Sequence, residues 1–311
     1  MACARLRTPV VEVATRLGPL NLRTPLVAAS GTVGSVVEMD GVADLTAYGA
    51  AVAKSVSNEP WGGRPAPRVA PAGIGMLNGI GIQNPGIDQW RREHHSDLAK
   101  LPVPVWGSAV GHAVDDFARV AEGLEQAGVE AIEINLSCPN LDGNLIALDP
   151  SLSAKVTAAV KAAVGLPVGA KLSPNAVDIA SVAGACADSG ADWVVLTNTI
   201  WGAAIDVETR RPALSGVIGG YSGPPLKPIA LRCVIEVHRA LPHLPILGCG
   251  GVASGVDMAE YLLAGASAVG LGTVHFAEPR AGRRILLELQ RLCRRWGVER
   301  VEDLIGKADL S

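Results

Sequence analysis

Eight short runs rich in Val, Ile, Leu, Ala and Gly recur along the chain, at residues 26–30, 52–56, 105–110, 132–137, 168–173, 193–199, 246–251 and 268–273. Most are followed by a segment with apolar residues at helical intervals. Residues 151–161 show that spacing, and Pro150 before them suits a helix's first turn. A second helix is expected over 178–189, with Gly190 as its stop, and a third over 228–241, ending before Pro242. Near-continuous apolar strands alternating with helices imply a parallel sheet buried on both faces. Eight such units specify an α/β fold, a single (β/α)8 TIM barrel spanning residues 1–311 with no linker. A doubly wound sheet is the competing topology, and the strand count favours the barrel.

Residues 11–23 alternate in polarity around Gly18-Pro19 and read as an N-terminal β-hairpin closing the barrel's bottom. Two connections, 57–104 and 200–228, are long and rich in Gly and Pro. Both follow strands, so both are expected as loops over the end of the barrel where ligands bind.

Composition narrows the function. The chain is 49% hydrophobic, which allows a large core, and its net charge of −3 comes from interspersed charges. No basic stripe offers itself to nucleic acid, so a small-molecule substrate is expected. The six cysteines are scattered without C-x-x-C or zinc and iron–sulfur spacing, which implies a reducing cytosol and no metal. No apolar run reaches a membrane-spanning length without a polar break, so a cytoplasmic protein is expected.

The chemistry concentrates where strands run out. In Ile134-Asn135-Leu136-Ser137-Cys138-Pro139-Asn140 a thiol and two carboxamides follow an apolar strand that Pro139 ends. That placement suggests catalysis by Cys138; the alternative is a small buried hydrophobe, the reading that fits the other five cysteines. The remaining strand ends supply Ser30, Lys54-Ser55, Ser108, Lys171, Asn198-Thr199, Gly250-Gly251 and Gly272-Thr273. A lysine inside an apolar strand is costly unless it meets an anion or hydrogen-bond acceptors, so Lys54 and Lys171 either serve a ligand or snorkel to water. The glycine pairs after strands 7 and 8 stand where barrels commonly bind phosphate through backbone N–H groups. Taken alone they are also simple tight turns. A phosphate there would suit a phosphorylated cofactor whose reactive ring lies over the barrel mouth.

Five separated motifs carry a resemblance over residues 11–305: Asn135-Leu136-Ser137-Cys138-Pro139-Asn140, Asn78-Gly79-Ile80-Gly81-Ile82-Gln83-Asn84-Pro85-Gly86, Lys171-Leu172-Ser173-Pro174-Asn175, Asn198-Thr199 and Gly219-Gly220-Tyr221-Ser222-Gly223-Pro224. The chain resembles the class 1 dihydroorotate dehydrogenases, specifically the catalytic subunit of the 1B branch, an FMN-binding barrel. The resemblance implies oxidation of dihydroorotate to orotate in pyrimidine biosynthesis. Cys138 would take the C5 proton while FMN takes the C6 hydride. It further implies FMN phosphate bound by Gly250, Gly251, Gly272 and Thr273 with Gly223 nearby. The ring and ribityl chain would be held by Ser30, Lys54, Ser55, Asn135, Lys171 and Thr197. Substrate would contact Lys54, Asn78, Gly79, Ile80, Gly81, Ile82, Asn135, Asn140, Asn198 and Thr199. Carboxamides suit a pyrimidine dione because each offers donors and an acceptor to the imide edge. Residues 141–149 would form a mobile lid. The implied assembly is a homodimer, and with it a heterotetramer including an electron-transfer subunit that carries FAD and an iron–sulfur cluster.

The chain departs from the family pattern at three places. Ser108 stands where the family has a flavin-contacting asparagine, residues 141–149 lack the Gly-rich, Phe-containing lid, and Gly79 replaces an alanine. Trp61, Trp106 and Trp201 fall near loops expected to face the site, where packing is the favoured reading. Two other functions compete with dihydroorotate oxidation. One is the same flavin chemistry on a related dihydropyrimidine or other small cyclic substrate; the other is a barrel that binds a phosphorylated ligand without redox chemistry.

Overall fold

The computed structural model describes residues 10–136 and 146–311. Eight parallel strands close into a barrel in chain order: Leu26–Ala28, Ala50–Val52, Val105–Ala109, Ala131–Asn135, Val168–Lys171, Trp193–Leu196, Ile246–Cys249 and Ala268–Leu271, hereafter barrel strands 1 to 8. Each meets one of the apolar runs, but the second strand sits earlier than expected. Its run continues to Val56, which makes only an isolated bridge to Ala109. Lys54 and Ser55 therefore stand beyond the strand's carboxyl end rather than within it.

Alternation along each strand sorts the core into two layers, because successive side chains point to opposite faces. Val27, Val52, Trp106, Trp193, Val195 and Leu247 pack inside the barrel with Leu17 and Leu22. Leu26, Ile132, Ile134, Val168, Val194 and Val269 belong instead to the larger core shared with the helices. The rings of Trp106 and Trp193 lie 5.2 Å apart and fill the lower barrel. Trp193 fits only because Gly169 is beside it: a Cβ there would come within 2.1 Å of the indole. The expected hairpin forms from Thr15–Leu17 and Leu20–Leu22, and Leu17 and Leu22 plug the bottom.

Helices Val114–Ala127, Pro150–Ala163, Ile179–Asp188, Lys227–Ala240, Gly255–Leu263 and Ala281–Trp296 cover the outside. Local sequence sets their ends. The Asp149 carboxylate accepts from Ser151 N at 2.8 Å and Leu152 N at 3.1 Å, with Pro150 in the first turn. Asp178 accepts from Ser181 N at 2.9 Å, and Gly190 follows that helix at φ +97°. Between barrel strands 1 and 2 the described chain forms only two short 3-10 helices, Val37–Met39 and Leu45–Ala47.

The two long connections are more ordered than loops. The first contains helix Ile87–Leu98, whose charged run Arg91-Arg92-Glu93-His94-His95 masks a narrow buried stripe of Ile87, Trp90 and Leu98. Together the two connections build one antiparallel sheet in the order Ile200–Ala203, Ile218–Ser222, Gly75–Asn78, Val69–Ala72. This sheet caps the carboxyl ends of the barrel strands.

Candidate functional site

Under the cap sheet, at the carboxyl ends of the barrel strands, lies a cavity of about 610 Å³. That volume suits a cofactor-sized ligand. Of the residues singled out from the sequence, Ser30, Lys54, Ser55, Asn78, Ile80, Ile82, Asn135, Lys171, Asn198, Thr199, Gly223, Gly250, Gly251, Gly272 and Thr273 line it. Ser108 and Thr197 do not: both are buried behind the lining, Ser108 hydrogen-bonded to Ser55 Oγ at 2.9 Å and Thr197 N bonded to Cys249 O at 2.6 Å. Gly79 and Gly81 support the loop from behind, where Gly79 N donates to Arg68 O at 2.7 Å and Gly81 takes φ +72° against Arg64. Cys138, Asn140 and residues 141–145 lie outside the described residues. The rest of the expected lid is anchored: Ile146 and Ala147 are buried, Ser153 Oγ donates to Ile146 O at 2.7 Å, and Asp149 caps a helix.

One end of the cavity is a polar floor. Asn198 Nδ2 donates to Asn135 Oδ1 at 3.2 Å, Asn135 Nδ2 donates to Ser55 Oγ at 3.0 Å, and Ser55 Oγ shares a further hydrogen bond with Ser108 Oγ at 2.9 Å. This chain fixes the orientation of both carboxamides, since each amide's direction follows from its neighbours. Asn198 Oδ1 also accepts from Thr199 N at 2.8 Å, and Asn78 Nδ2 donates to Gly220 O at 3.2 Å. Gly220 is required there, because a Cβ would lie 2.2 Å from Thr199 Oγ1.

Below Asn135, Lys171 ends barrel strand 5 with its side chain 8% exposed. Its Nζ lies 3.6 Å from Glu133 Oε1, a carboxylate only 2% exposed. Burial is the strongest single influence on the Lys171 pKa and pulls it down, but Glu133, chiefly by its charge, and Cys249 together more than offset it, so the value lies above the ordinary one. Sequence reading missed Glu133. The rule that flagged Lys54 and Lys171, a charge within an apolar strand, applies equally to Ala131-Ile132-Glu133-Ile134. Cys249, also unflagged, lines the cavity, and burial pushes its thiol pKa up.

The other end is built from backbone. The N–H groups of Gly251, Gly272 and Thr273 donate to no carbonyl among the described residues. Gly272 is not tightly packed: a Cβ there would make only ordinary contacts, 3.8 Å from Thr32 and 3.9 Å from Ala29. Gly251, at φ +70°, passes so close to Gly223 O and Lys227 N that a Cβ would lie 2.8 Å from each. Helix Lys227–Ala240 begins there, so a positive helix end adds to the unclaimed donors. The Lys227 ammonium is taken by Asp257 at 2.6 Å and Glu260 at 2.7 Å. Asp257 in turn holds the turn after barrel strand 7 by accepting from Ala253 N at 2.9 Å and Ser254 Oγ at 2.9 Å. Thr273 precedes the short helix Val274–Ala277, which is pinned by His275: Nδ1 lies 2.9 Å from Thr32 Oγ1 and Nε2 2.8 Å from Tyr48 Oη. His275 was not flagged from the sequence, where one histidine among six gives no signal.

Unclaimed N–H groups at one end and a lysine–carboxamide floor at the other give this barrel the chemistry that suits a phosphorylated ligand at its carboxyl face. Residues 12–293 match the family model described as dihydroorotate dehydrogenase. The chain belongs to the dihydroorotate dehydrogenase family and is an oxidoreductase of the class 1, 1B-like branch. A protein of Alkaliphilus oremlandii named dihydroorotate dehydrogenase B (NAD(+)), catalytic subunit, is 39% identical over 95% of this chain and 98% of its own. A protein of the same name from Geobacter sulfurreducens is 41% identical over 96% and 99%. A Solibacter usitatus protein with a provisional name of the fumarate-using A type is 42% identical over 95% and 98%. No helix among the described residues is long and apolar enough to cross a membrane.

Proposed function

We propose that the chain oxidises dihydroorotate to orotate with FMN as its cofactor, as the catalytic subunit of a B-type enzyme. The observation that carries this reading is the single cavity in which Lys54, Asn135, Lys171 and Asn198 share space with the unclaimed N–H groups of Gly251, Gly272 and Thr273. The residues present suit FMN: the backbone donors of Gly251, Gly272 and Thr273 would hold its phosphate, and Lys171 would face the negative charge that grows on the ring during reduction. When bound, FMN supplies the acceptor for the hydride that leaves C6 of the substrate.

The chain's own residues do the rest. Asn78, Asn135, Asn198 and Thr199 offer amide and hydroxyl groups to the imide edge, and Lys54 offers a cation to the substrate carboxylate. Their fixed orientation removes reorganisation from the reacting complex. Cys138 takes the C5 proton; a free thiol has a pKa of about 8.5, near enough to neutrality for a general base. The cap sheet excludes water from above.

The relatives named as catalytic subunits of NAD(+)-linked enzymes support a separate electron-transfer partner for this chain. In the proposed assembly that partner carries FAD and an iron–sulfur cluster, and the catalytic core is a homodimer. The test is an absorption spectrum of the purified chain reconstituted with FMN, followed by anaerobic dihydroorotate. Bleaching of the flavin band is expected, with reduction of an artificial dye but not of NAD by the chain alone. A colourless protein, or a flavin that dihydroorotate leaves oxidised, would refute the proposal; fumarate turnover would move the chain to the A type.

A further inference from the structure

Glu133 sits on barrel strand 4 in register with Gly169, two residues before Asn135, which is in register with Lys171. Its Oε1 has no hydrogen-bond donor, although it lies 3.6 Å from the Lys171 ammonium. A carboxylate in such a place is a poor stabiliser, since the cost of drying both ions commonly matches their attraction. Below it the barrel is closed by the Trp106–Trp193 pair, and above it Asn135 and Lys171 reach the cavity. Its charge therefore acts upward, on Lys171 and on whatever lies over Lys171.

We propose that Glu133 is a positioning residue that sets how much of the Lys171 charge reaches the ligand, holding the ammonium under the cavity and partly cancelling it, so that the bound flavin has a lower reduction potential than Lys171 alone would give. This rests on the flavin reading above. Reduction adds negative charge over the floor; an uncompensated cation there stabilises the reduced form, and a carboxylate behind it offsets that stabilisation. Among the described residues the other titratable groups lining the cavity are Lys54, beyond barrel strand 2, and Cys249, on barrel strand 7. Burial keeps the Cys249 thiol neutral, and barrel strands 3 and 6 present only the uncharged Ser108 and Thr197 to this layer. Glu133 is thus the anion of this layer among the described residues.

The experiment compares the full chain with Glu133→Gln and Glu133→Asp, each reconstituted with FMN, by measuring flavin affinity and midpoint potential from pH 6 to 9. Glu133→Gln is expected to raise the potential by at least the equivalent of tenfold in the reduction equilibrium, ~30 mV for a two-electron couple. That shift should shrink as pH rises, because Lys171 without its partner loses its proton more readily. Glu133→Asp keeps the charge and should stay near wild type. Coincident potentials for wild type and Glu133→Gln across the range, or an equal shift in Glu133→Asp, would overturn the proposal. Should Glu133→Gln fail to fold, Glu133→Met removes the charge at similar volume and permits the same comparison. A wild-type chain that binds no flavin refutes the cofactor reading itself and this role with it, whereas flavin bound with unshifted potentials refutes this role alone.

Discussion

Acid should weaken the phosphate end of the cavity through His275. This imidazole is 3% exposed, and burial lowers its pKa from 6.5 to about 4. The network assigns its tautomer. Thr32 Oγ1 donates to Ala29 O at 2.8 Å, so it accepts from Nδ1–H, and Nε2 is left to accept from Tyr48 O–H. Protonation puts a second N–H against the Tyr48 hydroxyl and a charge into a dry site. A folded-state value below the unfolded one means that the neutral form stabilises the fold above pH 6.5, and that this stability is lost as pH falls towards 4. At 1.36 kcal/mol per tenfold change, the full loss is ~3 kcal/mol, with about 2 kcal/mol gone by pH 5. That is a large share of a typical net stability. Urea unfolding of wild type and His275→Gln at pH 7, 6 and 5 isolates it, because the other acid-sensitive groups are common to both. The gap between the two curves should narrow as pH falls, whereas FMN affinity of the folded wild type should hold down to pH 5 and fall only towards pH 4, where His275 itself takes a proton two residues from Thr273. Parallel loss of stability in both proteins from pH 7 to 5 would refute the reasoning.

Cys138→Ala should bind FMN as wild type does yet slow flavin reduction by dihydroorotate by ~10²–10⁴-fold, and Cys138→Ser should keep a little activity that rises with pH; stopped-flow reduction at the wild-type rate would remove the thiol from the mechanism. Gly251→Ala forces a side chain into φ +70° with its Cβ 2.8 Å from Gly223 O. It should lower thermal stability by ~1–2 kcal/mol and release FMN, read by flavin fluorescence. Asp149→Ala removes the carboxylate that caps helix Pro150–Ala163, and chemical denaturation should show a loss of about 1 kcal/mol.

The barrel itself was legible in the sequence. A strand buried on both faces must be apolar throughout and short, and a helix must repeat every 3.6 residues, so eight runs and their intervening helices declare themselves locally. The first-turn Pro150 and the stop at Gly190 are local for the same reason: each acts on backbone within a few residues. The strand ends also named most of the cavity lining, because in a parallel barrel every strand delivers its carboxyl end to the same face. Tertiary structure alone decided the rest. Helix Ile87–Leu98 hid behind its charges, since only three of its side chains are buried. The cap sheet joins strands from connections more than a hundred residues apart, a pairing that no local period encodes. Ser108 and Thr197 were placed in the lining on motif and position, but both lie buried one layer off it, Ser108 bonded to Ser55 Oγ and Thr197 N to Cys249 O. Glu133 and His275 took their meaning from partners on other strands, Lys171, Thr32 and Tyr48. A charge's energy depends on what surrounds it in three dimensions, and the sequence records only that the charge is there.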